Sequence, residues 1–404
     1  MNARDVAPEF IPAHIPRELV FDFDYMDDIR FKKDLHDGVL SLVEQAPPIF
    51  YTPRYGGHWV ATTPQAIQDI TRNTGLFSSR KGTIGGEQGA FLIPVNSDPP
   101  QHATFRQPLA LAFSPKTVST MEGAIREFVN QLIDRTIDRG HCDFLKDIAE
   151  PLPVTIFMKL MGLPLDRLEE FRVWATRSMG TSDPEERKNY FTQIITAMSE
   201  IIVKRQAKRE DDLISRLLDV RVGDRPPTFE EMQNYCLLLF IAGLDTVVNA
   251  MSFGIRHLAQ DQQLQASLRA DPALIPDAIE ELLRRYAIAI PCREVTREDT
   301  YAGIGFKEGD MVMLLLHAAN LDAKTFASPD KVDLDRSNTG AHFTFGAGPH
   351  RCVGSHLARL ELKVLYQEWL RRVPTFKLDP EHPAHFHAGL IFTVMSLPLV
   401  WNRN

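Results

Sequence analysis

One cysteine in this chain sits in a setting suited to metal chemistry. Residues 342–354 read HFTFGAGPHRCVG, with Phe345, Gly346, Gly348, His350, Cys352 and Gly354 as its marked positions. A heme-thiolate centre needs an ionised sulfur held against one face of the iron and kept from oxidants. Glycines let a loop approach the flat macrocycle and leave backbone N–H groups aimed at the sulfur. A helix starting just after Cys352 adds the positive end of its dipole, which favours the thiolate. Phe345 can pack over the sulfur and exclude water. A cysteine taken alone is more often an inert small hydrophobe; the six-point pattern argues for a ligand.

A second cluster lies upstream, in Ala242-Gly243-Leu244-Asp245-Thr246. An acid followed by an alcohol inside an apolar helix carries a burial cost unless both find partners. Thr246 can bond back to the carbonyl of Ala242 and loosen the helix, and Gly243 weakens it further. The groove so formed would admit dioxygen and water. Splitting dioxygen needs two protons; Thr246 can hydrogen-bond the distal oxygen and Asp245 can relay protons from solvent. Alone, the pair reads as a solvent-facing Asp and a back-bonded Thr. Beside the cysteine motif it reads as a proton-delivery device.

These residues need elements to hold them. Thr228 and Glu231 form a capping box ahead of a long apolar helix ending near Gln260. Asp98-Pro99-Pro100 predicts a helix start, with Asp98 as N-cap and proline at N1. Asp271–Tyr286 predicts a helix with Glu281 and Arg284 one turn apart, and another follows Cys352 to about Arg372. His58–Thr63 reads as a short strand and Phe392–Trp401 as strand again. Residues 301–316, YAGIGFKEGDMVMLLL, predict a hairpin turning at Lys307-Glu308-Gly309. Gly82–Gly89 reads as a mobile loop. No composition break marks a linker, so residues 1–404 are expected to form one domain, mainly α with small β-sheets.

Composition sets bounds on function. A net charge of -8 disfavours nucleic acid, which wants a basic face. Four scattered cysteines, none in a C-x-x-C pair, suit a reducing cytoplasm better than a disulfide scaffold. The start of the chain is polar, acidic and proline-broken, without a secretory pattern. The longest apolar run, Cys236–Leu244, is nine residues, too short to span a bilayer, so no membrane association is expected. Gly303, Gly305 and Gly309 only approximate a dinucleotide fingerprint. The third glycine comes one residue late, and the run does not open a helix. Electrons must therefore come from another protein.

The Cys352 segment resembles the cysteine-ligand loop of the cytochrome P-450 superfamily, in its soluble bacterial class. Glu281-Leu282-Leu283-Arg284 resembles that family's E-x-x-R motif, Arg336 its second arginine, and Ala242–Thr246 its A-G-x-D-T pattern. The resemblance implies a cytochrome P-450 fold, with heme b buried between a long distal helix and a proximal helix, and Cys352 on the iron. It implies catalytic roles for Asp245 and Thr246, and a buried structural network of Glu281, Arg284 and Arg336. His102, Arg106, Arg293 and His350 match positions that bind heme propionates. The implied partners are a [2Fe-2S] ferredoxin and a flavoprotein ferredoxin reductase, docking near Cys352 with Arg351 and Arg106 as contacts. A monomer is expected.

GGHWVAT (56–62), GLDTVVN (243–249), EELLRRY (280–286) and LPLVW (397–401) resemble the camphor hydroxylase group within the family. That resemblance implies a terpenoid-sized apolar substrate. The group holds camphor's ketone with a tyrosine before the D-P-P helix. Here Ala90 falls at that position beside Phe91, and alanine cannot donate a hydrogen bond. Weak camphor binding is expected, with a norisoprenoid such as ionone, or another monoterpenoid, as the better fit. Pocket candidates are Ala90, Phe91, Leu239, Ala242, Ala289, Leu390 and Ile391, all equally at home in an apolar core. A peroxide-driven peroxygenase is the first alternative, disfavoured because its relatives replace the acid–alcohol pair with Arg-Pro. A heme-thiolate sensor is the second, and a heme-free helical protein the last.

Overall fold

The computed structural model describes residues 11–84, 92–180 and 183–402. The long helix predicted from the capping box runs Phe229–Gln260. Glu231 N–H donates to Thr228 Oγ1 at 3.1 Å, and Thr228 N–H donates to Glu231 Oε2 at 2.8 Å. By length and composition this helix could cross a membrane, although its longest apolar run, Cys236–Leu244, is only nine residues; 65% of its apolar window is buried inside the protein, as in a core helix.

This helix joins two apolar clusters. Its first half, including Met232, Cys236 and Phe240, packs with the helices Gln101–Ala112, Pro151–Met161, Leu168–Gly180 and Pro184–Ala207. Its second half, including Met251, Phe253 and Leu258, packs with the helices Ile275–Arg285 and Ser355–Arg372. Asp245 and Thr246 lie at the seam between the clusters, where the helix has neither core fully around it.

A third cluster surrounds a five-stranded sheet, ordered Ile49–Thr52, His58–Ala61, Met311–Leu314, Cys292–Val295, Phe77–Ser78. One pairing is parallel, Trp59 opposite Val312; the others are antiparallel. Alternation along Cys292–Val295 sends successive side chains to opposite faces.

Three expectations are corrected. Asp98 is not a helix N-cap: its carboxylate accepts from Ser78 Oγ at 2.5 Å and Ser79 N–H at 2.9 Å, and the helix begins at Gln101. Donors from a neighbouring strand outcompete the local helix N–H groups. The hairpin in 301–316 turns at Ala302-Gly303, both at positive φ (50° and 79°), and joins Asp299–Tyr301 to Ile304–Phe306. Met311–Leu314 leaves that hairpin for the larger sheet, where its burial is greater. The tail is two strands, Thr393–Ser396 and Pro398–Trp401, in different sheets.

Candidate active site

The cysteine loop is built on backbone bonds that the glycines permit. Cys352 N–H donates to the Phe345 carbonyl at 2.8 Å, and Gly346 N–H to the Phe343 carbonyl at 2.7 Å. Gly348 sits at φ 66°, where a Cβ would lie 2.6 Å from the Thr71 carbonyl oxygen. Only glycine fits both the dihedral and the contact. Of the four cysteines, Cys142, Cys236 and Cys292 are buried and Cys352 is exposed. Crowding by protein raises the Cys352 pKa; the Gly354 N–H and the charges of Arg106, Arg351 and Arg359 oppose that rise. The helix Ser355–Arg372 starts three residues later and points its N-terminus at the loop.

Behind the loop lies an ion network. Arg284 reaches both Glu281 oxygens at 2.9 Å, and Arg336 Nε reaches Glu281 Oε1 at 2.7 Å. Glu281 and Arg284 are fully buried. Burial pushes the Glu281 carboxyl up, but hydrogen bonds from Arg284 and Arg336 outweigh it and hold it below its usual value. Arg284 also donates to the carbonyls of Asn320, Pro329 and Lys331. Asn320 accepts from Phe343 N–H at 2.6 Å and donates to Thr344 Oγ1 at 2.8 Å, which carries the network into the cysteine loop. A second brace adds Glu280, bound by Arg359 at 2.5 and 2.8 Å, with the Arg359 guanidinium 4.4 Å from the Phe345 ring centre. The sequence reading omitted Glu280, Arg359 and Asn320; the adjacency of Glu280 to Glu281 was its available signal.

Cationic residues gather beside the loop. Arg106, Arg293 and His350 line one cavity of about 150 Å³ with Pro291, Leu316 and Gly346. His102 packs against His350 with ring centres 4.1 Å apart and the planes tilted by 47°. His102 Nε2, His350 Nε2 and Arg293 Nε are buried without a hydrogen-bond partner. Burial, then the charge of Arg293, lowers the His350 pKa to about 3. Buried donors without acceptors are costly, and like charges together are costlier. A ligand bearing two carboxylates, such as heme b, satisfies both demands, so the residues present fit that cofactor. Arg106 is turned inward, its guanidinium bonded to the Arg351 carbonyl, while the Arg351 residue is exposed. Of the two expected docking contacts, only Arg351 faces outward.

On the long helix, Thr246 Oγ1 donates to the Ala242 carbonyl at 3.1 Å. The helix is nevertheless unbroken through Gly243. The hydroxyl adds a second donor to that carbonyl without displacing the backbone one. Burial raises the Asp245 pKa, opposed by a hydrogen bond from Asn249. Ala242 is exposed, Leu239 buried. Ala289 and Ile391 form an antiparallel bridge, flanked by Ile290 N–H to the Leu390 carbonyl and Phe392 N–H to the Ile288 carbonyl, both 2.8 Å. Ala289, Leu390 and Ile391 are therefore brought together, all half-buried. Ala90 and Phe91 lie outside the described residues.

A mainly helical fold around a glycine-braced cysteine and a cationic cavity defines a heme-thiolate protein. The comparisons agree. The cytochrome P450 family profile matches residues 171–385. Probable cytochrome P450 127A1 of Sinorhizobium fredii (strain NBRC 101917 / NGR234) is 32% identical over 402 residues, 97% of each chain. Steroid C26-monooxygenase of Mycobacterium tuberculosis (strain CDC 1551 / Oshkosh) is 32% identical over 355 residues, 84% of this chain and 94% of that one. Among solved structures, CYP101J2 has a TM-score of 0.91 at 34% identity, covering 97% of this chain and 99% of the other. CYP101C1 has a TM-score of 0.91 at 32% identity, with 97% and 100% covered. The chain belongs to the cytochrome P450 family; it is a monooxygenase with heme b as cofactor.

Proposed function

We propose that this enzyme hydroxylates a terpenoid-sized apolar substrate, a norisoprenoid such as ionone or a monoterpenoid, with electrons from a [2Fe-2S] ferredoxin fed by a flavoprotein reductase. The observation that carries the placement of its chemistry is the cluster of unpartnered His102, His350 and Arg293 nitrogens beside the exposed Cys352. Cys352 is the iron ligand in this reading, and His102, Arg106, Arg293 and His350 hold the propionates. When bound, the heme supplies the centre at which dioxygen is reduced: substrate C–H, dioxygen, two electrons and two protons give an alcohol and water.

The chain's own residues supply the protons. Asp245 is half-buried with a raised pKa, so it can hold a proton at its carboxyl and pass it on. Thr246 can release Ala242 and turn its hydroxyl toward the reacting oxygen. Glu281, Arg284 and Arg336 touch no substrate and keep the loop in place. The peroxygenase alternative is disfavoured by the intact Asp245–Thr246 pair. The cytoplasm, with its reduced thiols, suits the three buried free cysteines.

Substrate size is open to a second reading, favoured by the similarity to Steroid C26-monooxygenase. A panel of camphor, ionones, larger terpenoids and a sterol, scored by the low-to-high-spin Soret shift, separates the readings. A full shift with ionones and little with camphor is expected. A full shift with camphor and none with ionones overturns the ionone reading; a shift with the sterol alone moves the assignment to steroids.

A further inference from the structure

Asn249, one turn beyond Asp245 on the long helix, is fully buried and bonded in two directions. Its Nδ2 donates to the Asp245 carbonyl at 2.8 Å and faces Asp245 Oδ1 at 3.5 Å. Its Oδ1 accepts from Val394 N–H at 2.7 Å. The buried Val394 N–H needs an acceptor, and this fixes the amide's orientation: oxygen toward Val394, NH₂ toward Asp245. Among the described residues, no other side chain hydrogen-bonds Asp245 and no ion pair reaches it.

Val394 belongs to a hairpin, His385–His387 with Thr393–Ser396, in which Phe386 faces Val394. The loop between the strands carries Leu390 and Ile391 and is anchored at Ile288 and Ile290. A substrate pressing on Leu390 or Ile391 therefore pushes on a segment three or four residues from the Val394 N–H. The amide joins the two segments with one short bond to each, so movement of the hairpin is passed toward Asp245 through it.

We propose that Asn249 is a positioning residue that couples contact of substrate with the Leu390–Ile391 loop to the placement of Asp245 for proton delivery. This rests on the proton-delivery reading of Asp245 given above. It predicts that the enzyme couples electron use to product formation through a residue that touches neither substrate nor heme.

Asn249→Asp separates the two halves of the link. While ionised, its carboxylate still accepts from Val394 N–H, but it cannot donate to the Asp245 carbonyl and repels the Asp245 carboxylate. Asn249→Ala removes both halves. The test uses the full-length holoenzyme with ferredoxin and reductase, and the panel compound giving the largest Soret shift. The carbon monoxide difference spectrum and melting temperature of each variant establish that it is folded and loaded.

For Asn249→Asp, the spin-shift dissociation constant should stay within about twofold of the parent. Product per electron pair should fall roughly three- to thirtyfold, with hydrogen peroxide making up the difference; this is the range of coupling carried by a buried network. For Asn249→Ala, the dissociation constant should weaken as well. On the parent enzyme, hydrogen exchange at the Val394 amide should slow when the compound binds. Unchanged coupling in Asn249→Asp overturns the proposal. So does an amide at Val394 indifferent to ligand, which decides the matter even where the variants do not fold. Should Asp245→Asn itself leave coupling intact, the proton-delivery reading fails, and that result is distinct from either of these.

Discussion

Thr246 illustrates how little a side chain must do to matter. In this structure its hydroxyl is spent on the Ala242 carbonyl, one bond it can exchange for another at small cost. Thr246→Ala should leave the Soret shift with substrate unchanged while product per electron pair falls on the order of tenfold or more, with peroxide released instead. Thr246→Ser, which keeps the hydroxyl, should retain most of the coupling. Equal coupling in the alanine variant and the parent would show that protons arrive by another route.

Glu361 is the opposite case: a buried acid with no assigned task. It lies on the helix after Cys352, 2% exposed, and burial raises its carboxyl from 4.5 to about 8. The neutral form is favoured in the fold, so folding stability is full below the unfolded value and declines as pH rises through about 8. Glu361→Gln should match the parent below about pH 4.5, and its advantage in melting temperature should grow from there and level off above about pH 8. Melting curves across that range check it. A parent that loses no ground to the variant in alkali would mean that the acid is ionised and paired.

At the scale of elements, the decisive feature is the joint between the helix Ile275–Arg285 and the loop before Cys352. Glu281 and Arg284 are buried to 0% exposure; Arg284 has Glu281 as its carboxylate partner, while Glu281 is shared between Arg284 and Arg336. Removing one partner of such a pair typically costs about 3–5 kcal/mol, because the survivor stays buried and uncompensated. Glu281→Ala, which strands the buried Arg284, should therefore accumulate poorly, retain little heme and melt far below the parent. Because Asn320 hands the network on to Phe343 and Thr344, heme loss should precede unfolding of the five-stranded sheet. Absorbance at the Soret band against far-ultraviolet circular dichroism during heating measures the order. Simultaneous loss of both signals would show one cooperative unit.

Across the whole molecule, charge and exposure divide the surface near Cys352. Arg106 is turned into the cavity, whereas Arg351 faces solvent one residue from Cys352. An acidic electron carrier would meet Arg351 first. Its association should slow as salt screens the attraction, over a Debye length of about 8 Å at physiological ionic strength. Arg351→Glu should lower the rate of heme reduction by the proposed ferredoxin at low salt by about tenfold, and the gap to the parent should close as salt rises. Stopped-flow reduction at several ionic strengths tests this; parallel salt dependences for both proteins place the contact elsewhere.

The seam between the two large apolar clusters is also a property of the whole. The long helix is continuous, yet its middle belongs to neither cluster's centre, which leaves Ala242 exposed and Asp245 and Thr246 half-buried. A helix predicted from its own periodicity shows an apolar run; it does not show where the surrounding packing parts.

The sequence by itself determined what is local or chemical. Cys352 with its glycines, the Asp245–Thr246 pair, the Thr228 capping box and the Glu281–Arg284 spacing are all set by contacts within a few residues, or by chemistry that tolerates few alternatives. Tertiary structure alone decided what depends on partners far apart in the chain. Asp98 followed by two prolines has the local pattern of a cap, but Ser78 and Ser79 offer better donors. Met311–Leu314 has the local pattern of a hairpin strand, but pairing beside His58–Ala61 places it in the larger sheet. The contact of His102 with His350, and the tie from Asp245 through Asn249 to Val394, join residues separated by more than a hundred positions. No periodicity encodes such pairs, because the energy that selects them is the cost of leaving buried polar groups unmatched once the chain has closed around them.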